Sequence, residues 1–492
     1  MIDVRLKPRA TVEWPRAGRR RRFSRTAIIA TVALGLCGAA PPVTSREAAT
    51  ARYFESVRGE PAQMQLFLRE MPKGGDLHNH LSGAIYAESY LQWSATDGGC
   101  LVTATMSLVA GPCDPAGGRV PTSSVLADEA LYSRAINAMS MRHWDRSLNG
   151  HDHFFATFAK FGPAAGRTGD MLAEVMARAG SEHVSYLELM VTLAAATTTR
   201  LGRELAWNDQ APDFGAARQS LLTAGLRAAV AAEARQRLDD AEVRQRTLLH
   251  CDASHADAGC GVTVRFLTQV GRTNAPAAVF TQILTGFELA SQDPRIVGFN
   301  LVQPEDNPVA IRDFSLQMRM IQFLQPFYPG VQLTLHAGEL TAGLVPPEAL
   351  RFHIRDSVRI AGAKRIGHGV DLIFEDDVTA LLEEMAAKKV LVEIALTSTD
   401  RILGVSGGVH PMHTYLKFGV PVALATDDAG VSRSTLTEEF QKAVDEQGLD
   451  YLALKRMVRN SIEYSFAEAP TKARLKLAVE KALGEFELHH RS

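Results

Sequence analysis

Four short segments of this chain place imidazoles and carboxyls where they could meet: Leu77-His78-Asn79-His80-Leu81, Leu335-His336-Ala337-Gly338-Glu339, Arg365-Ile366-Gly367-His368-Gly369 and Thr426-Asp427-Asp428. In a strand alternate side chains share a face, so His78 and His80 project together while Leu77 and Leu81 face the surrounding shell. Two imidazoles so placed can take neighbouring corners of a tetrahedral metal site. His336 and Glu339 lie three residues apart, which suits an imidazole on metal at a strand end and a carboxyl handling protons in the loop beyond. His368 stands between two glycines, whose small size lets ring and backbone approach a ligand closely. Asp427 and Asp428 are adjacent carboxyls that repel unless something positive holds at least one of them. Each segment alone has a bland reading: a chance His-x-His, a solvated loop Glu, a strand ending in a turn, an Asp capping a helix over Ser434–Ala443. Together they share a position.

That position is the C-terminal end of an apolar run. Eight runs of strand length recur: Asp76–Leu81, Ser185–Thr192, Val262–Gln269, Arg295–Leu301, Val331–His336, Arg365–Gly369, Val390–Leu396 and Pro421–Thr426. Helical periods separate them, as in Asp377–Lys388, where Val378, Leu381, Leu382 and Met385 repeat at i, i+3, i+4 and i+7; Leu222–Leu238 and Phe314–Phe323 read similarly. Alternating strands and helices predict an α/β fold, a (β/α)8 TIM barrel with an insertion after the first strand. The four segments end the first, fifth, sixth and eighth strands, on the face where barrel enzymes put their chemistry. Closure sets the last strand beside the first, bringing Asp427 towards His78 and His80. The insertion, about 93–149, is too long for a plain βα loop and is expected to carry its own helices.

The 492 residues carry 53 basic and 55 acidic side chains, a formal net charge of -2. That balance gives no basic footprint for nucleic acid and suits a small-molecule ligand. Residues 1–40 read as an export signal: a basic block from Arg16 to Arg25, the apolar run Ala27–Leu36, then small residues. Arg20-Arg21-Arg22-Phe23 is a partial twin-arginine motif, so twin-arginine and general secretory export both stay open. The apolar run is too short to span a membrane, so no stable membrane insertion is expected after signal removal and the mature chain is expected to be periplasmic or secreted. Cys37 follows a leucine bulkier than a lipid-attachment site usually tolerates. The remaining Cys100, Cys113, Cys251 and Cys260 allow three pairings or four free thiols; the short separations favour Cys100–Cys113 and Cys251–Cys260. Beyond the signal, a helical segment over 41–70, a barrel over 71–470 and a helical tail over 471–492 complete the expected organisation. No feature fixes an oligomeric state.

The four segments, in this order, resemble the adenosine deaminase family of metal-dependent hydrolases. Met71-Pro72-Lys73, Arg459-Asn460-Ser461-Ile462 and Ser465-Phe466 extend the match, with softer echoes at Tyr186–Glu188 and His410-Pro411, so the resemblance runs from about residue 71 to 466. It implies one Zn2+ per chain on His78, His80, His336 and Asp427, with Glu339 as proton donor to purine N1. His368 would orient and deprotonate the attacking water, and Asp428 would meet the ring at N7. The implied reaction converts adenosine or 2'-deoxyadenosine to inosine or 2'-deoxyinosine plus ammonia. Adenine or a modified aminopurine is the alternative substrate, and a non-catalytic nucleoside-binding protein the alternative of another class. Ser82 stands where many members carry an acidic residue on the ribose 5'-hydroxyl, Gln303 near where the family usually has a glycine touching purine N3, and Ala429 in place of a common proline. A cytidine-deaminase-like site is disfavoured, because no H-x-E with a later P-C-x-x-C occurs.

Overall fold

The computed structural model describes residues 45–147 and 149–490. The expected export signal over 1–40, with its arginine block and Cys37, lies outside the described residues. Eight parallel strands form the central sheet: β1 (Gly74–His80), β5 (Val184–Val191), β6 (Thr263–Gly271), β7 (Ile296–Val302), β8 (Gln332–Ala337), β9 (Arg365–His368), β10 (Leu391–Ile394) and β11 (Val422–Leu424). Between β1 and β5 sits a small antiparallel sheet of β2 (Cys100–Val102), β3 (Ser107–Val109) and β4 (Arg119–Pro121). The large sheet runs β1-β5-β6-β7-β8-β9-β10-β11. Asp427, just past β11, returns to β1: its N–H donates to the His78 carbonyl at 2.8 Å and its carbonyl accepts from His80 N–H at 3.2 Å. Those two bonds close the circle into a (β/α)8 barrel.

The strands lie within two residues of their expected limits, because strands covered on both faces read as continuous apolar runs. Every residue of β1, β9 and β10 is buried. The helices around them start where the sequence supplies caps. Asn307 accepts from Val309 N–H at 2.9 Å and Pro308 takes the first position of the helix Pro308–Leu324. Lys73, buried just ahead of β1, donates to the carbonyls of Leu68 (2.7 Å), Met71 (3.0 Å) and Glu182 (2.9 Å). Its ammonium thus sits at the negative ends of the helices Pro61–Glu70 and Thr168–Ser181 and fixes the entry to the barrel.

One expectation needs correction, and two gain detail. Leu222–Leu238 is not one helix: Phe214–Thr223 ends, Gly225 turns the chain at φ 83°, and Leu226–Leu248 begins. Glycine adopts that conformation without steric penalty, while the apolar period runs on through it. The helix expected over Ser434–Ala443 is Leu436–Asp445, capped by Thr435, and Asp428 makes no capping bond. The insertion holds the β2–β4 sheet as well as helices, among them Glu129–Met139. Cys100 in β2 is bonded to Cys113, and Cys251 to Cys260. Helices Ser45–Val57 and Pro61–Glu70 precede β1, and Ala469–His489 ends the described chain. No described helix is long and apolar enough to cross a membrane.

Candidate metal centre and active site

Strand register brings the imidazoles together. His78 and His80 share one face of β1, while β8 and β9 pair with His336 opposite Gly367. A Cβ on Gly367 would lie 2.6 Å from His78 Cε1, so this glycine makes room for the ring across the barrel. His78 Nε2 and His336 Nε2 are 3.1 Å apart, and His80 Nε2 and His336 Nε2 3.2 Å. Asp427 Oδ1 lies 3.3 Å from His80 Nε2 and 3.6 Å from His78 Nε2. Four donors at tetrahedral corners with metal–nitrogen bonds of about 2.0–2.1 Å stand roughly 3.3–3.4 Å apart. The spacing fits.

The outer partners aim the same lone pairs inward. His78 Nδ1 bonds Glu393 Oε2 at 2.7 Å, and His336 Nδ1 donates to Asn300 Oδ1 at 2.9 Å. Asn300 Oδ1 also accepts the His336 backbone N–H at 2.8 Å, which fixes the orientation of its amide. The Gln269 amide nitrogen lies 3.0 Å from His80 Nδ1, so that amide must turn its oxygen to the ring for His80 to present a Nε2 lone pair, and Ser398 Oγ donates to Asp427 Oδ2 at 2.6 Å. With Nδ1 carrying the proton, two Nε2 lone pairs face each other at van der Waals distance or less, and only a cation relieves that. Burial, then the neighbouring imidazoles, push the His336 pKa well below its ordinary value. Burial opposes charge on His78, yet Glu393 and Asp427 raise its pKa. One proton on His78 would satisfy one pair; a divalent ion satisfies all four donors, including Asp427 Oδ1, which has no hydrogen-bond partner. The residues fit a metal.

Beside this donor set stand the proton-handling groups. Glu339 Oε1 is 3.7 Å from His368 Nε2, which lies 4.0 Å from Asp427 Oδ2. Burial, then the charges of Asp427 and Glu305, push the Glu339 pKa well above the carboxyl range. Burial holds His368 down at about 4, so its ring is neutral at pH 7. Burial raises the Asp427 carboxyl, but His368, His78 and His80 outweigh it and hold it at about 2. Asp428 goes the other way, raised well above its ordinary value by burial and by Asp427. Gly83 makes its room, since a Cβ there would fall on Asp428 Oδ1. His368 and Asp427 have φ of 69° and 58°, in the left-handed region that is strained for side-chain-bearing residues.

These groups floor a cavity of about 500 Å³, lined also by Ser82, Gln303, Thr268, Asn274 and Phe154, Phe155 and Phe158 from the helix Gly150–Phe161. His80, His336, Glu339, Asp427 and Asp428 line it directly, while His78 and His368 lie just behind, each 1% exposed. Ser82 is half-buried and Gln303 sits exposed at the rim. The Gln303 side-chain oxygen accepts from Thr273 Oγ1 at 2.6 Å, which leaves its NH2 free to face a ligand. The sequence reading missed the supports Glu393, Asn300, Gln269 and Ser398, and the aromatic wall. The readable signal was a charged or amide residue inside an apolar strand, as in Leu391-Val392-Glu393-Ile394.

The family model of adenosine deaminase matches residues 180–482, so β1 and its two histidines precede the matched stretch and are joined to it by the fold. An adenosine deaminase of Clostridium perfringens is 33% identical over 151 residues, 30% of this chain and 42% of that protein. An adenine deaminase of Sinorhizobium medicae is 28% identical over 225 residues, 46% of this chain and 64% of that protein. The matched stretches thus span about half the length of these curated relatives. The apo structure of an N6-methyl-AMP deaminase from Arabidopsis thaliana superposes with a TM-score of 0.56 at 19% identity, over 86% of this chain and 99% of that one.

Proposed function

This chain belongs to the adenosine deaminase family, and from that premise we propose that it is a zinc-dependent hydrolase that removes the 6-amino group of a purine nucleoside as ammonia. The observation that carries the reading is Glu339 Oε1 standing 3.7 Å from His368 Nε2 beside the His78, His80, His336 and Asp427 donor set, the carboxyl pushed up and the imidazole held down by burial. His78, His80, His336 and Asp427 would hold one ion, whose Lewis acidity would bring a water's pKa towards ~7. Glu339 donates its proton to ring N1 and makes C6 electrophilic. His368 takes a proton from the water that adds to C6 and passes it to the amino nitrogen, which leaves as ammonia while the C6 hydroxyl gives its proton back to Glu339. Asp428, protonated by its surroundings, donates to N7. Adenosine plus water becomes inosine plus ammonia, and 2'-deoxyadenosine reacts likewise.

Two features of the cavity support a nucleoside. Among the described residues that line it none is Lys or Arg, so a phosphate would find no cationic side chain to pair with. A bare purine leaves much of about 500 Å³ unfilled. Adenine or an N6-substituted aminopurine is the second reading, favoured by the adenine deaminase relative and by the apolar wall of Phe154, Phe155 and Phe158. The test is ammonia release by the zinc-loaded chain from adenosine, 2'-deoxyadenosine, adenine, AMP and N6-methyl analogues, with Glu339→Gln as control. We expect the highest kcat/KM on the nucleosides and a loss of about 10²–10⁴-fold in Glu339→Gln at full metal content. A folded, metal-loaded chain that deaminates none of them overturns the proposal. An exported location, periplasmic or secreted, accords with the two disulfides, which persist in oxidising compartments.

A further inference from the structure

Glu339 does not hold its own place. It follows Gly338, which turns the chain at φ 79° immediately after β8. The N–H groups of Gly338 and Glu339 both point away from the cavity into one buried carboxylate. Glu305 Oε1 accepts from Gly338 N–H at 3.0 Å, and Glu305 Oε2 accepts from Glu339 N–H at 2.9 Å. Glu305 is 2% exposed and lies in the segment between β7 and the helix Pro308–Leu324. His353 Nδ1 bonds its Oε1 at 2.5 Å, and the guanidinium of Arg272, fully buried, stands 3.7 Å away. Burial raises the Glu305 carboxyl, but His353 and Arg272 outweigh it and hold it at about 2, so both oxygens accept.

The far side of the turn is closed too. A Cβ at Gly338 would lie 2.4 Å from Asp371 Oδ1 and 2.9 Å from Ile354 Cδ1. The Glu339 side chain, by contrast, has an oxygen without a hydrogen-bond partner and lines the cavity. Its backbone is gripped and its carboxyl end is left for the ligand. Gln303 and Pro304, directly upstream of Glu305, line the same cavity, so one segment both borders the ligand and anchors the acid opposite it.

We propose that Glu305 is a positioning residue for the proposed deamination: its carboxylate clamps the Gly338–Glu339 peptide, and His353 and Arg272 hold that carboxylate from its other side. Glu305 touches neither substrate nor metal and acts only through Glu339. The inference rests on the deaminase reading for its kinetic arm and not for its structural one.

The test uses the full zinc-loaded chain and Glu305→Gln. An amide matches the carboxylate in size but offers one oxygen to two N–H groups and turns its NH2 against the other. We expect kcat to fall about 10²-fold, as for a misplaced catalytic group, with KM nearly unchanged and metal content intact. Backbone amides over 336–340 should exchange with solvent faster than in the wild type. A carboxylate-preserving Glu305→Asp variant should recover part of the kcat. Unchanged kcat, or a loss lying wholly in KM, overturns the proposal. Should Glu305→Gln fail to fold, His353→Gln weakens the same clamp from one side; faster exchange there supports it, and wild-type exchange with wild-type kcat sinks it. If the wild type deaminates nothing, the proposed function fails, while amide exchange at 336–340 still decides the clamp.

Discussion

Glu393→Gln should weaken metal binding without unfolding the chain, and the size of the effect follows from how its two oxygens are used. Oε2 takes His78 Nδ1 at 2.7 Å, while Oε1 takes Arg365 Nε at 2.5 Å and Thr334 Oγ1 at 2.9 Å. An amide serves one side only. With its oxygen towards Arg365, its NH2 faces Nδ1, forcing the imidazole proton onto Nε2 and removing His78 from the donor set. With its oxygen towards His78, the ring keeps its tautomer but loses the charge that makes it a strong ligand. Either way, losing such a partner lowers metal affinity about 10–100-fold, roughly 1.4–2.7 kcal/mol. The fold should survive, because Arg365 still pairs with Glu188, both fully buried. The measurement is a zinc competition titration against a chromophoric chelator, with thermal unfolding of the metal-free chain as the folding control. A folded variant that binds zinc as tightly as the wild type refutes the assigned role of the pair.

Gly367→Ala should lower metal occupancy at least as much, because the added methyl meets the His78 ring 2.6 Å from Cε1 with backbone on its other side; full occupancy by metal analysis would show that the ring has room to move. His410 is buried and its pKa is held at about 4 by desolvation and by Lys442. The folded state therefore binds fewer protons there than the unfolded chain, so stability present above the ordinary value near 6.5 is lost as pH falls from 6.5 through 4. His410→Gln should flatten that part of the stability–pH curve in denaturant titrations, and an unaltered slope would remove His410 as its source. Reducing Cys100–Cys113, whose members lie 13 residues apart, should lower stability by about 3 kcal/mol in the chain-entropy estimate. A denaturation midpoint indifferent to reductant would contradict it.

The barrel was legible because its strands are buried on both faces and written as apolar runs, and because chemistry-bearing residues ended four of them. Asp427 and Asp428 illustrate why type and spacing suffice for a ligand set: adjacent acids at a strand end demand a positive partner, and three histidines supply its neighbours. The supports were harder. Asn300, Glu393 and Glu305 come from strands or loops other than those of the side chains they hold, and no local pattern marks such a meeting. Asn300 and Glu393 do stand out as polar residues in an apolar setting, between Phe299 and Leu301 and between Val392 and Ile394, whereas Glu305, between Pro304 and Asp306, does not. The β2–β4 sheet escaped because its strands are three residues long, too short for an alternation to register. Gly225 was passed over because hydrophobic period alone cannot tell a continuous helix from two that meet at a turn.

The seam between β1 and β11 gives the molecule an unusual economy. The backbone of Asp427 ties the first strand to the last, while its carboxyl reaches the imidazoles on the strand it has just joined. Completing the architecture and assembling the ion-binding corner are therefore one event. Were that seam to open, Asp427 would part from the imidazoles of β1, and an ion held on both sides would act as a rivet whose binding energy opposes the parting of two segments far apart in sequence.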